Sequence, residues 1–554
     1  MGRLSKRELL TEKKTESKKK RQTMKKNLFK TRLLSFAAFC GLALAFASCA
    51  NEDVAQGTTG TDSENDKNLT TFVAGDEAKT RTTMDYTSGN FYWEAGDYIY
   101  VKDDNNVWRK SSNSPTGKVA SFKFKVPGKF TASASYKVYY PGKNGSNDQV
   151  TIPAAQSQSE PNSTAHFGES GDCGTATATG TVGGGSFSFA LDHQAAILVL
   201  QPYNPNTTLN DCYLTKVEVT SDNNITGTYT LDPSSGELTG TGTGKQIVVT
   251  TAGSSVSPNG FPIKKVASVT DNSAYVLIKP GTHALTVKYT LKDIATNVEG
   301  TITKTLSAFN YDKNTYYDMT ANLDIKDYDG DHYYMWDAQE QYWKGFEWTK
   351  NLASGVGQPA LMGVPAGNYA QSNTDSRYFS EAFTYGVDNH ATHTPCAGLP
   401  NANEMSWYIM YGDPRWDADE LWTMMGHLYK GGMWFKKKSV LQAENHYDTE
   451  KSADNTTDLR TTWKDYQNIG SSISSGIPSA ADADNYFYLP VLGLYIYGQL
   501  KLVGDYGHYW SSSANPVGIY AGYLLSFNYG YVMVGSSNRF YGYRAQKFSD
   551  FGDN

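Results

Sequence analysis

The chain has 554 residues, with 50 Lys+Arg against 56 Asp+Glu and a formal net charge of −6. This length implies three or four domains, and an acidic balance makes a poor partner for nucleic acid or anionic lipid. There is no P-loop, no H-E-x-x-H and no G-x-S-x-G, so the standard catalytic signatures are missing and no cofactor is called for.

In chain order, residues 1–48 read as a removable leader. Lys25, Lys26, Lys30 and Arg32 precede the apolar run 33–47, LLSFAAFCGLALAFA, and Ser48-Cys49 follows it. That run is too short to span a bilayer comfortably, and no later stretch approaches eighteen apolar residues. Residues 1–23 add only charge, so Met24 is the expected start. FASC (46–49) resembles the bacterial lipobox, with Phe46 in place of the commoner Leu. The resemblance implies lipid attachment at Cys49 and an outer-membrane lipoprotein. The leader holds 13 Lys+Arg and 3 Asp+Glu, which leaves 37 against 53 and a net charge of −16. Acyl chains would hold such a chain to the membrane while its charge keeps the body in water. Residues 49–70, largely ANEDVAQGTTGTDSENDKN, have almost nothing to bury and read as a flexible tether. The early Glu52-Asp53 pair resembles the acidic signal that directs lipoproteins to the cell surface.

From about 70 to 325 the apolar residues alternate. SFKFKV places Phe122, Phe124 and Val126 on one face, and YLTKVEV places Tyr213, Val217 and Val219 together. NITGTYTL groups Ile225, Tyr229 and Leu231; LTVKYTL groups Leu285, Val287, Tyr289 and Leu291. Period two with Gly, Asn, Asp and Pro turns predicts antiparallel β-sandwiches. Two are expected, over 71–200 and 201–325. Of the mature cysteines, Cys173 and Cys212 are candidates for a disulfide in the exported compartment, with two buried free thiols as the open alternative.

The segments TRTTMDYTSGNFYWEAGDYIYV (80–101), YKVYYPGKNGSNDQVTIPAAQ (136–156), GDCGTATATG (171–180), FALDHQAAILVLQP (189–202) and CYLTKVEVTSDNNITGTYTLD (212–232) resemble the Bacteroides fimbrillin-like lipoproteins in order. The resemblance implies two transthyretin-like sandwiches, related to type V pilins and their anchor and tip subunits. It implies other fimbrial subunits as partners, and it makes Arg81 the nearest candidate for cleavage after an Arg. On its own residues Arg81 is an ordinary strand-flanking Arg. Strand addition needs an apolar groove and a donor segment, and more than 200 residues beyond 325 would obstruct ordinary stacking. A tip or cell-anchored subunit fits better than a shaft subunit.

Nine of the 11 Trp and 24 of the 39 Tyr lie from Tyr328 onward, so the remainder is a different kind of core. Residues 326–344 form an acidic linker; its Asp327-Tyr-Asp329-Gly330-Asp331 lacks the further ligands of a calcium loop. In 345–554, Glu404, Trp407, Tyr408 and Tyr411 fall at helical spacings and Gly412-Asp413-Pro414 stops the helix. HYWSS, AGYLLSF, YVMVG and RFYGYR then read as strands. Together with the LPNANE helix start (399–404), these resemble the Fibrobacter-type paralogous domain, which implies an α+β, C-type-lectin-like fold. The expected fold class is mainly β: two sandwiches followed by that domain.

The lectin motifs for calcium-dependent sugar binding are missing from this domain, and Cys396 alone cannot support formylglycine chemistry. His390-Ala-Thr-His393-Thr-Pro-Cys396 lacks a visible fourth ligand, so no metal is expected. Aromatic rings can stack on sugars or anchor protein partners while Asn and Arg bond polar groups. Trp416, Trp434, Tyr509, Asn528, Tyr531, Asn538 and Arg539 are therefore the candidate ligand-binding residues. The expectation is a non-enzymatic surface adhesin for host or bacterial glycans or proteins. A ligand-free pilus subunit and a carbohydrate-active enzyme with an unfamiliar site are the alternatives.

Overall fold

The computed structural model describes residues 25–27, 69–75, 83–84, 86, 91–232, 234–346, 369–381 and 390–553; Cys49 and Arg81 lie outside them. The fold is mainly β and divides into two compact units. The first takes in the chain to Tyr203, Leu214–Thr290 and Thr301–Asn322; the second takes in Asn204–Tyr213, Leu291–Gly300 and Leu323–Asn554. Among the described residues, no helix is long and apolar enough to cross a membrane.

In the first unit, one sheet runs in the order Trp108–Lys110, Tyr100–Lys102, Ser135–Tyr140, Gly174–Gly180, Ser186–Phe189, Leu69–Ala74 and Phe122–Pro127. Alternation supplies its core: Phe72, Val101, Phe124, Val126, Val138 and Phe187 are all buried, with Trp93 among them. Lys123 between them stays exposed. Further sheets are built on Ala196–Tyr203, Cys212–Ser221, Gly281–Asp293 and Thr315–Asn322, of which 212–213 and 291–293 are grouped with the second unit. Ile225, Tyr229, Leu231, Leu285, Val287, Tyr289 and Leu291 are buried at the expected alternate positions.

Two details differ from expectation. Leu214, not Tyr213, is buried ahead of Val217 and Val219. The half-buried pair Thr215 and Lys216 inserts one residue into the alternation, which moves the buried set to the other parity. Residues expected in the first sandwich also pair elsewhere. Gln149–Ile152 is antiparallel to Gly227–Leu231, and Ala155–Ser157 is parallel to Gln246–Thr250.

Of the two alternatives open for the cysteines, the structure has the free thiols. Cys173 and Cys212 are buried free thiols, as is Cys396. They are grouped with different units, Cys173 with the first and Cys212 with the second. Burial pushes the Cys173 and Cys212 thiols far up, and the nearby carboxylates Asp172 and Asp293 add to this. Burial also pushes Cys396 up to about 12. Such thiols stay protonated and unreactive. Iodoacetamide is expected to label none of the three in the folded protein at pH 8 and all three after unfolding without reductant. Labelling of only one would restore the disulfide.

In the second unit, one sheet orders Lys326–Tyr328, Arg415–Met424, His427–Lys436 and Tyr486–Pro490. Another orders Tyr333–Tyr334, Tyr543–Arg544, Gly507–Ala514, Ala521–Phe527, Tyr531–Asn538 and Tyr466–Ile469. The helix Ala402–Tyr411 starts with a reciprocal cap: Asn401 Oδ1 accepts the Glu404 N–H at 2.9 Å, and Glu404 accepts the Asn401 N–H at 2.8 Å. Its Trp407, Tyr408 and Ile409 enter the aromatic core, while Tyr411 stays exposed. Separate segments are tied together within this unit. Asp293 accepts the Leu428 N–H at 2.9 Å and lies 3.1 Å from His427 Nδ1; the Asn210 N–H donates to the Gly426 carbonyl at 2.8 Å.

The unit also carries carboxylates held below their ordinary range. Burial opposes the charge on Asp458, but hydrogen bonds from Arg460 and Asn403 overcome it and hold the carboxyl at about 2. Asp454 is held lower still by Lys464 and Thr457 against the same opposition. A carboxyl depressed in the folded state contributes stability above its unfolded pKa of about 3.9, and that contribution is lost as pH falls through the folded value. The second unit should therefore lose stability between roughly pH 4 and pH 2. Asp458→Asn should flatten that dependence in urea melts at each pH.

A tryptophan face as candidate functional site

The site follows from sheet register. Arg415 lies opposite Trp434, Trp416 opposite Met433, and Trp434 opposite Tyr488 on the next strand. Cross-strand partners share a face and neighbours along a strand do not. Trp416 therefore turns to the face of the buried Met433, while Trp434 shares the other face with Arg415, Asp417 and Tyr488.

Trp434 is half-buried. Its Nε1–H donates to Asp417 Oδ2 at 3.1 Å, and its ring centroid lies 5.0 Å from that of Tyr488 at 53°. The strand register breaks between Asp417 and Leu421, where Asp417 Oδ1 accepts the N–H groups of Asp419 and Glu420 at 3.0 and 3.1 Å. This bulge fixes the carboxylate beneath the indole. At the edge of the face, Arg415 Nε donates to Asp413 Oδ2 at 2.8 Å, and the Tyr486 hydroxyl donates to the same oxygen at 2.7 Å. The Tyr488 hydroxyl is buried with no hydrogen-bond partner, and burial pushes its pKa far up. Gly432 makes room for it: a Cβ there would fall 2.4 Å from the Tyr488 ring carbon and hydroxyl. The face thus offers a ring for stacking, with carboxylate, guanidinium and hydroxyl groups beside it.

The other sequence candidates separate. Tyr509 is fully buried, stacks on Phe527 and donates to the Pro490 carbonyl at 2.6 Å, so it is a core residue. Arg539 is also buried. Its guanidinium stands 4.5 Å over Trp336, its Nε donates to the Ala521 carbonyl at 3.1 Å, and burial lowers its pKa to about 10. Both have their polar groups turned inward, which corrects their expected surface role. Asn528 Oδ1 accepts the Gly530 and Tyr531 N–H groups at 2.8 and 3.1 Å and shapes a turn. Tyr531 is half-buried, and Asn538 is exposed.

His508 Nδ1 lies 3.0 Å from Ser526 Oγ, which lies 3.1 Å from the Tyr531 hydroxyl. Ser526 is only 4% exposed, so this pair is closed to substrate; burial lowers His508 to about 4. Among the described residues, no group of three His, Cys, Asp or Glu is arranged to hold a metal.

An exposed aromatic position went unread in the sequence. Tyr497 occupies a left-handed turn position at φ 49°, is 52% exposed, and has the rings of Tyr369, Phe540 and Tyr541 each 6.5 Å away. The signal was available as Ile-Tyr-Gly-Gln between two short apolar runs, a tight-turn pattern with Tyr in a position that favours Asn or Gly.

No family model and no curated protein matches the chain. Among solved structures, it is similar to a candidate cell adhesion protein from Bacteroides ovatus, at 15% identity and a TM-score of 0.27, covering 42% of this chain and 84% of that one. It is similar to the fimbrial anchor protein Mfa2 from Porphyromonas gingivalis, at 12% identity and a TM-score of 0.20, covering 43% and 83%. A fimbrial protein from Bacteroides ovatus aligns at 10% identity and a TM-score of 0.20, covering 84% and 98%. Likeness at this level carries no activity or partner over to this chain.

Proposed function

We propose that the protein is a fimbrillin-type surface lipoprotein whose second unit binds a glycan non-covalently at the Trp434 face. The observation that carries this reading is the half-buried indole held by Asp417, with Arg415, Asp413 and Tyr486 beside it. A sugar's apolar face stacks on such a ring while its hydroxyls take up the adjoining acceptors and donors. The leader that precedes Cys49 and the acidic mature charge support export and anchoring. Strand-rich modules ahead of the binding unit suit a tip or anchored adhesin.

The test uses the full chain, because residues 340–554 alone would leave Leu428 without Asp293 and Gly426 without Asn210. On glycan arrays the wild type should retain a ligand unchanged. Trp434→Ala should weaken it about tenfold or more, with the chain still folded by circular dichroism. Undiminished binding by Trp434→Ala would remove the site, and release of cleaved products would favour an enzyme. A mass spectrum of the mature N-terminus checks acylation at Cys49 and trimming near Arg81.

A further inference from the structure

We propose that a cleft in the first unit binds a neutral, hydroxyl-rich ligand of monosaccharide size. The cleft has a volume of about 380 Å³, within the roughly 300–1,000 Å³ typical of small-molecule sites.

Its walls are held by local hydrogen bonding. After the edge strand Ala155–Ser157, Gln158 pins the chain: its N–H donates to the Thr250 carbonyl at 3.0 Å, Nε2 to the Ser273 carbonyl at 3.1 Å, and Oε1 accepts the Tyr275 N–H at 2.7 Å. This places Ser157 and Ser159 on one wall. The facing turn has Gly253 at φ 91°, and Ser254 Oγ latches it by donating to the Ser159 carbonyl at 2.6 Å. His166 lines the cleft, with Nε2 3.3 Å from the Tyr275 carbonyl. A carbonyl only accepts, so Nε2 carries the proton and Nδ1 is the bare acceptor. Nδ1 is buried and has no protein partner. Burial lowers this imidazole to about 4, which keeps it neutral at pH 7.

The lining selects the ligand class. Glu169 is its one charged group, so nothing there offsets an anion. No Phe, Tyr or Trp lines it, so a flat aromatic ligand has no stacking partner. Ser157 and Ser163 add hydroxyls to the lining, and each can both donate and accept. Serine hydroxyls and a carboxylate match a polyol, which brings several donors and acceptors without charge.

This site does not rest on the Trp434 reading. Saturation-transfer NMR on the full chain, with galactose, fucose, N-acetylglucosamine and inorganic phosphate as probes, tests it. At least one sugar should give signal with wild type and with Trp434→Ala. That signal should fall fivefold or more when Ser157→Leu or Ser163→Leu is added to the Trp434→Ala chain, each checked for an unchanged melting curve. Ser157 is exposed on an edge strand, so Ser157→Leu keeps the test usable if Ser163→Leu misfolds. The proposal is overturned if no sugar gives signal, if phosphate alone does, or if the signal survives in a folded serine variant or is lost in Trp434→Ala.

Discussion

Arg544→Met should destabilise the second unit by about 3 kcal/mol, seen as a melting point lower by roughly 6–12 °C. The guanidinium is fully buried. Its Nη1 donates to the Asp329 carbonyl at 2.9 Å and the Asp331 carbonyl at 2.5 Å, and Nη2 donates to Asp329 Oδ1 at 3.3 Å and Gln546 Oε1 at 2.6 Å. It also stands 5.1 Å over the Tyr333 ring. Burial works against the Asp329 charge, yet the His332 hydrogen bond and Arg544 hold that carboxyl well below its ordinary range. Methionine fills the volume but leaves these acceptors without a donor. Arg544→Lys should recover less than half of the loss, because an ammonium cannot reach both carbonyls in one plane. A loss below about 1 kcal/mol in urea melts would show that water replaces the guanidinium. The same geometry explains the acidic 327–331 segment: its carbonyls turn towards an arginine. Added calcium should therefore leave the melting point unchanged.

Asp337→Ala should cost a similar amount, about 3 kcal/mol. Asp337 is fully buried and sits at φ 57°. Its Oδ1 accepts the Thr392 and His393 N–H groups at 2.8 and 2.7 Å, and its Oδ2 accepts the Thr392 hydroxyl at 3.1 Å. Its own N–H donates to Cys396 Sγ at 3.3 Å, and its carbonyl lies 2.7 Å from His393 Nδ1. Alanine would orphan three donors and occupy a left-handed position that disfavours it. Asp337→Asn keeps an acceptor and tolerates that position, so it should lose about half as much or less. Equal losses for Ala and Asn would mean that the negative charge itself is what the site needs. His393 and Cys396 thus converge on a buried carboxylate that organises the loop.

Much of the secondary structure was legible. Alternation marked the strands through Phe124, Val126, Tyr289 and Leu291, since burying one face of a strand leaves a period of two. LPNANE marked the helix start, because Asn401 and Glu404 satisfy each other's backbone donors without help from elsewhere. Strand partners were not legible. Period two says which face is buried, but not that Ala155–Ser157 will lie beside Gln246–Thr250, some 90 residues on.

The candidate site shows the same division. An aromatic-rich second core, and the absence of familiar catalytic motifs, follow from residue types and their spacing alone. Which aromatic rings face outward does not. Tyr509 and Tyr497 are equally apolar as letters, yet one is sealed beneath Phe527 and the other stands at a turn apex. Composition and local pattern determined the strands, the helix cap and the acidic, aromatic character of the chain. Only the tertiary structure decided which tryptophan meets a carboxylate, because exposure depends on residues brought close by strand pairing, not by sequence.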